Sequence, residues 1–418
     1  MPPHDREQAA DATRSLTERL VDSLGGTPVD RRAVLGGLGL AGSAALAGVG
    51  SANGDHQGGH ESTHGNFGPV GSYDGTDFDP HEFLRTFNTG RGEQASVPQR
   101  VYEEDGQTVR EFELVAVDTT ITVAPGVEFT AWAYNGQVPG PTLRAVEGDL
   151  IRVTFRNLGR HAHTIHPHLK NPRPEMDGVP TNGPGVLETG ESFTYEWTAQ
   201  PAGVHFYHCH SLPLKEHIHR GLYGVIVVDP DPERVRENPR DYVNYHGPMT
   251  DDYRDELVRV AKSRNHEYAE NDAVDEQVMV MNGFDTNFDG DNEIYAVNTQ
   301  AFAYAVGDTD GKGEWSAGET IQPVRVERDR PVRVYLVNAI EFDLVNSFHT
   351  HSQFFDYYDH GTTLQPTHRT VDTVMQCQAQ RGVLELDYGD HEPGLYMFHA
   401  HQSEFAELGW MSFFEVVA

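Results

Sequence analysis

The sequence predicts an all-β protein built from two copies of one antiparallel β-sandwich, and three observations predict it. From about residue 96 onward, short runs of alternating apolar and polar residues recur, among them VREFELVAV, ITVAPGVEFTAWAY, DLIRVTFRN, SFTYEWTA and YGVIVVD. Strands with one solvated face read this way. Gly, Pro and Asn punctuate these runs at short intervals, as the turns of a sandwich or barrel require. The pattern also occurs twice. YNGQVPGPTLRAVEGDLIRVTFRNLG, a histidine cluster and HFYHCH are echoed by MNGF, a long insert, PVRVERDRPVRVYLVNAI, FHTH and MFHAH. A fixed order of motifs repeated along one chain indicates a duplicated unit.

The first β block spans residues 96–230 and the second 276–418. Between them, 231–275 is a polar connector in which DDYRDELVRVAKSRNHEYA has helical spacing. Residues 53–95, rich in Gly, His and Asp and containing His56, His60 and His64, read as a flexible linker. Residues 1–52 read as a leader. Arg31 and Arg32 precede AVLGGLGLAGSAALAGVG and Ser-Ala, which resembles a twin-arginine export signal cleaved near residue 52. A secreted or cell-surface protein is expected. The Gly-rich stretch is too weakly apolar to argue for a membrane span that persists after cleavage.

Acids outnumber bases by 64 to 31, the formal charge is −33, and there are only four lysines. A polyanion would be repelled, so nucleic acid is excluded as a partner. An acidic, lysine-poor surface resembles that of proteins from salt-loving archaea, where counter-ions screen the self-repulsion. The two cysteines are Cys209 and Cys377. If Cys209 binds metal, no disulfide forms within the chain, and Cys377 is expected to be a small buried residue.

The histidines carry the chemistry. Block one contains His163-Thr-Ile-His166-Pro-His168 and, further on, His208-Cys209-His210 followed by His217. Block two contains His349-Thr-His351 and His399-Ala-His401. Side chains alternate faces along a strand. His166 and His168 therefore share a face, as do His208 and His210, while His163 and Cys209 have the opposite parity. One ligand set is Cys plus His and the other is His alone. Two imidazoles and a soft thiolate suit a blue copper electron-transfer site. Zinc also takes Cys and His, but the further histidines argue against it. Leu222 stands where a weak axial ligand is expected, and no Met lies between Met176 and Met249. Whether His217 or His219 completes the set is open at this level. In the other set, the pairs 166/168, 208/210, 349/351 and 399/401 provide more imidazoles than one ion uses.

On the motifs His-x-x-His-x-His and His-Cys-His followed by His, the chain resembles two-domain multicopper oxidases of the laccase type over roughly residues 100–418. The resemblance implies two cupredoxin-like Greek-key β-sandwich domains. It implies one type 1 copper on His163, Cys209 and His217, with Leu222 as its axial neighbour. It further implies one type 2 and two type 3 coppers on His166, His168, His208, His210, His349, His351, His399 and His401. The implied partners are O₂ and a small reducing substrate (phenols, aromatic amines or metal ions), with electrons entering at the exposed edge of His217. A homotrimer with the cluster between subunits is implied as well. Asp177 and Glu404 are candidates for the proton relay.

Some departures stand out. Asn346, Ala400 and Phe405 occupy the second block's places for His163, Cys209 and His217, so that block has no blue site. The Cys209–His217 spacing is longer than in laccases and resembles copper nitrite reductases. Nitrite reductase and a non-enzymatic copper-binding protein are therefore the alternatives. Asp308, Asp310, Lys312 and Glu319, next to Asp285, Asn287 and Asp289, resemble a calcium loop. Flanking strands rather than helices favour a polar hairpin there.

Overall fold

The computed structural model describes residues 100–124, 127–170, 173–244, 246–269, 273–299, 301 and 323–418. The leader, the linker and the 308–319 segment lie outside the described residues.

Two β-sandwiches follow one another. In the first, a five-stranded sheet combines Arg100–Glu104, Gln107–Ala124, Val127–Tyr134, Leu150–Asn157 and Ser192–Thr198. It faces a four-stranded sheet of Leu143–Val146, Tyr223–Asp229, Gly203–His208 and His166–Pro167. In the second, a six-stranded sheet (Ile294–Val297, Asp275–Phe284, Val332–Asn338, Arg381–Leu386, Phe355–Asp359 and His368–Val371) faces a five-stranded one. That five-stranded sheet holds Val324–Glu327, Met411–Val417, Gly394–His399, Val345–Thr350 and Thr373–Cys377. The sheets are mixed rather than purely antiparallel, and the exceptions match between the copies. Val109 to Ala116 runs parallel to Leu150 to Asn157, as Asp275 to Met281 does to Val332 to Asn338. Leu143 to Val146 runs parallel to Ile226 to Asp229, as Val324 to Glu327 does to Phe414 to Val417.

Each sandwich closes over its own core. Phe155, Tyr195, Trp197, Tyr207, Cys209 and Leu222 belong to the first, and Phe348, Phe398, Trp410 and Phe414 to the second. A third cluster joins the two, with Val204, Phe206, Val225 and Val227 packing on Val278, Val280, Val337 and Val383. An ion network backs this junction. Arg144 donates to Asp229 at 3.0 Å and to Glu276 at 2.7 Å, and Arg333 donates to Glu276 at 3.1 Å and Glu385 at 3.0 Å. Removing one partner of such a buried set costs about 3–5 kcal/mol.

The connector is less purely polar than its composition suggests. Its helices α2 (Pro232–Glu237) and α3 (Asp251–Arg264) bury Val235, Leu257, Val258 and Ala261 in a small apolar cluster with Tyr242 and Leu364. Thr250 caps α3 through its hydroxyl, which accepts from the Tyr253 N–H at 3.2 Å. Two short helices near the site, α1 (Leu214–His219) and α4 (Ser403–Glu407), occupy matching places in the two sandwiches. Among the described residues no helix is long and apolar enough to cross a membrane.

Cys377 contradicts the expectation of burial. It is exposed, because it ends the strand Thr373–Cys377 at the sheet edge, where Gln376 rather than Cys377 points inward.

Candidate metal centres

In the first sandwich three groups converge. The Cys209 sulfur lies 3.3 Å from His217 Nδ1 and 3.9 Å from His163 Nδ1, and the two Nδ1 atoms are 3.2 Å apart. All three residues are buried. His163 sits in the loop after Leu150–Asn157, where its N–H and C=O pair with Leu187 at 3.0 Å. Cys209 follows the strand Gly203–His208 and donates its N–H to the Leu222 carbonyl at 2.9 Å. Leu222 is itself fully buried and belongs to the same core as Cys209. The Thr164 N–H points at the sulfur from 3.4 Å. His217 comes from α1. Residues two apart on a helix are separated by about 200°, so only one of His217 and His219 can face Cys209. The structure brings in His217. His219 turns away and accepts from the Asp285 N–H at 2.9 Å.

The environment favours neutral ligands. Burial, then the neighbouring imidazoles, pushes His163 down to about 3. Burial also pushes His217 down to about 4. The buried Cys209 thiol is raised; a coordinated cation would reverse that, since a metal-bound thiol loses its proton.

The His-only residues form two separate groups. In the first sandwich, His168 Nε2 and His208 Nε2 are 3.1 Å apart, with the His166 ring centre 5.2 Å and 5.3 Å from theirs. His210 joins through His166 at 5.3 Å. In the second, His351 Nε2 and His399 Nε2 are 2.9 Å apart, and His349 contacts His401 at 5.0 Å between ring centres.

Backbone carbonyls set the tautomers. His208 Nδ1–H donates to the Cys209 carbonyl at 2.8 Å, and His399 Nδ1–H to the Ala400 carbonyl at 2.6 Å. His166 Nδ1–H donates to the Asp177 carbonyl at 2.7 Å, and His349 Nδ1–H to the Asp372 carbonyl at 2.8 Å. A carbonyl accepts only, so each of these rings keeps Nδ1 protonated and leaves Nε2 bare, and those of His208 and His399 face a neighbouring imidazole. Two nitrogens bound to one ion at about 2.0 Å and a tetrahedral angle lie about 3.3 Å apart, close to the spacings seen here. His210 Nδ1 is buried with no hydrogen-bond partner among the described residues, a cost that an ion would remove. The donor sets therefore fit copper: sulfur with two imidazoles at one site, imidazoles alone at the other.

Of the two proton-relay candidates, Asp177 is at the site. Its carboxylate lies 3.3 Å from His166 Nδ1. Gly178 makes this approach possible. Its φ is +69°, and a Cβ there would lie 1.7 Å from the Ile165 carbonyl oxygen. Glu404 is exposed on α4, and its charge bears on Tyr295.

Two supporting residues are missed by sequence reasoning. The Thr164 hydroxyl accepts from the His210 N–H at 2.9 Å, and the Ser347 hydroxyl from the His401 N–H at 2.8 Å. Their signal in the sequence is the repeat itself, since Thr164 follows His163 as Ser347 follows Asn346.

Asp285, Asp289 and Glu293 cluster in a hairpin after Asp275–Phe284. Their carboxylates accept from nearby backbone N–H groups, Gly290 to Asp285 at 2.7 Å among them.

Comparison with known proteins agrees with the geometry. Residues 116–233 and 285–418 match two family models, each described as multicopper oxidase. A crystal structure of a multicopper oxidase is 42% identical, with a TM-score of 0.62; the likeness covers 81% of this chain and 97% of that one. Copper resistance protein A of Pseudomonas syringae pv. tomato is 34% identical over 162 residues, 38% of this chain and 25% of that protein. The copper-containing nitrite reductase of Neisseria gonorrhoeae is 27% identical over 246 residues, 57% of this chain and 52% of that protein. The chain thus spans a quarter and about half of the lengths of these two curated relatives.

Proposed function

Because the chain belongs to the multicopper oxidase family, an oxidoreductase family with cupredoxin-like domains, we propose that it is a laccase-like enzyme that oxidises small phenolic, aromatic or metal-ion donors and reduces O₂ to water. The observation that carries this reading is the pair of matched His-only groups, each with bare Nε2 atoms converging, one of them joined to the Cys209 site by a single peptide unit.

His163, Cys209 and His217 would hold type 1 copper, and the eight paired histidines one type 2 and two type 3 coppers. Bound copper would supply the one-electron chemistry and the site of O₂ reduction. The chain supplies the rest. The buried Leu222, whose side chain has no donor atom, would leave a bound copper to the sulfur and the two imidazoles, which would favour a high reduction potential. Cys209 lies between His208 and His210, so the chain connects the two ligand sets covalently. Asp177 holds a carboxylate beside His166, able to pass a proton to the cluster.

The cluster is assigned to the interface between copies of the chain, in a homotrimer. His351 and His401 are exposed in the single chain, and no ring contact joins the two His-only groups among the described residues. A second copy would bring one group against the other. The twin-arginine leader supports export, and the acidic surface supports a high-salt setting. Replacing Arg31 and Arg32 by lysine should hold the protein inside the cell.

Copper content, EPR and sedimentation test the reading together. About four coppers per chain, with type 1 and type 2 signals plus EPR-silent copper in a trimer, is expected. About two per chain, with nitrite turnover, would sink it in favour of nitrite reductase. Full copper without oxygen uptake on a phenol would leave a storage protein.

A further inference from the structure

The sequence expectation that electrons enter at an exposed edge of His217 does not hold. His217 is only 3% exposed, because Trp132 packs edge-on against its ring at 4.8 Å. Something else must connect a donor to the type 1 ligands.

His161, two residues before His163, does reach the surface. Its ring lies 4.3 Å from that of Trp132. Trp132 in turn meets His217 and, at 5.6 Å, His163. An unbroken series of ring contacts therefore runs from solvent to both imidazoles of the candidate blue site. The path is held in place. The His161 carbonyl accepts from Asn157 Nδ2 at 2.7 Å, and the Trp132 N–H donates to the Arg220 carbonyl at 3.0 Å. The Arg220 guanidinium sits 5.1 Å from the Trp132 ring centre and donates to the Thr130 carbonyl at 3.1 Å. Beside His161, Leu158 in the same loop is 52% exposed and adds apolar surface.

We propose that His161 is the contact point for the electron donor, that Trp132 carries the electron inward, and that the donor is a flat aromatic reductant stacking on the His161 imidazole. The proposal rests on the blue-copper reading above. In the step, a phenolic donor loses one electron to the metal held by His163, Cys209 and His217, and its hydroxyl proton to water. No bond forms or breaks in His161 or Trp132.

The test has two arms. In the first, copper-loaded protein is mixed with hydroquinone without oxygen and bleaching of the blue band is followed. His161→Ala and Trp132→Leu should each slow bleaching by at least about tenfold, with the band itself and its midpoint potential unchanged in His161→Ala. Trp132→Phe should keep most of the rate. In the second, copper-free protein is labelled with diethyl pyrocarbonate and read by mass spectrometry. Hydroquinone should protect His161 several-fold. Wild-type bleaching rates in His161→Ala and Trp132→Leu, or labelling of His161 indifferent to hydroquinone, would overturn the entry route. A wild-type protein with copper but no blue band would count against the functional reading instead.

Discussion

In the first sandwich, the strand ending at His208 runs on into Cys209, whose sulfur meets two imidazoles; in the second, the same turn carries Ala400. The backbone around the two turns is the same. Cys209 N–H donates to the Leu222 carbonyl, and Leu222 N–H to that of His217; Ala400 N–H donates to Trp410, and Trp410 N–H to Phe405. The places of Leu222 and His217 are thus taken by Trp410 and Phe405. Trp410 is 1% exposed and donates its indole N–H to Asn346 Oδ1 at 3.2 Å. Phe405 stacks on Tyr295 at 3.8 Å. Where one sandwich keeps a polar, soft-donor chamber, the other has filled it with aromatic volume. The His-only groups are indifferent to this exchange. They depend on backbone carbonyls, those of Cys209 and Ala400 among them, which are present whatever side chain stands at the turn, and on the Thr164 or Ser347 hydroxyl.

The comparison can be broken in several ways. The largest effect is expected from Cys209→Ser, which should abolish the blue absorption entirely, whereas Ala400→Ser should leave it intact; a blue band surviving the first change would end the assignment. Trp410→Ala should cost about 3–5 kcal/mol by urea denaturation, since it empties a filled chamber, with the blue band unmoved. If Trp410→Ala shifts that band, the two sandwiches are coupled more closely than their separate cores suggest.

Asp177→Asn should lower kcat by about 10²-fold and steepen the loss of activity with rising pH. Glu404→Gln should change neither, and equal effects from both would remove Asp177 from the relay. The smallest effect concerns acid.

In copper-free protein the first sandwich holds His168 at about 2 and His208 at about 3, burial being the main cause in each. Unfolded imidazoles titrate near 6.5. Between these values the unfolded chain binds more protons, so this contribution is fully present above about pH 6.5 and is lost as pH falls toward 3. Melting temperatures of copper-free protein should decline through that window. His168→Leu should flatten the slope, and an unchanged slope would show that the acid sensitivity lies elsewhere. The second sandwich should contribute less, because His351 is only partly desolvated.

Much of the site was legible beforehand because ligand sorting is local. Parity along a strand separates His163 and Cys209 from His166, His168, His208 and His210 with no knowledge of the fold. The repeat exposes Asn346, Ala400 and Phe405 as substitutions in a shared frame. What alternation cannot reach was not legible. His217 and His219 sit on α1, where the choice depends on which way the helix faces. Asp177 and Glu404 each stand near a ligand in the sequence, yet only the turn at Gly178 brings a carboxylate to an imidazole. Cys377 reads as a small core residue until its strand proves to be an edge.

The sequence by itself determined the all-β repeat, the kinds of donor atom and their division into two sets, because these follow from residue type and a two-residue period. Only the tertiary structure decided which imidazole meets the sulfur, that His217 is covered by Trp132 while His161 reaches solvent, and that the paired histidines form two separate groups, one in each sandwich. Those outcomes depend on loops and helices packed across distant strands, and no local period encodes such contacts.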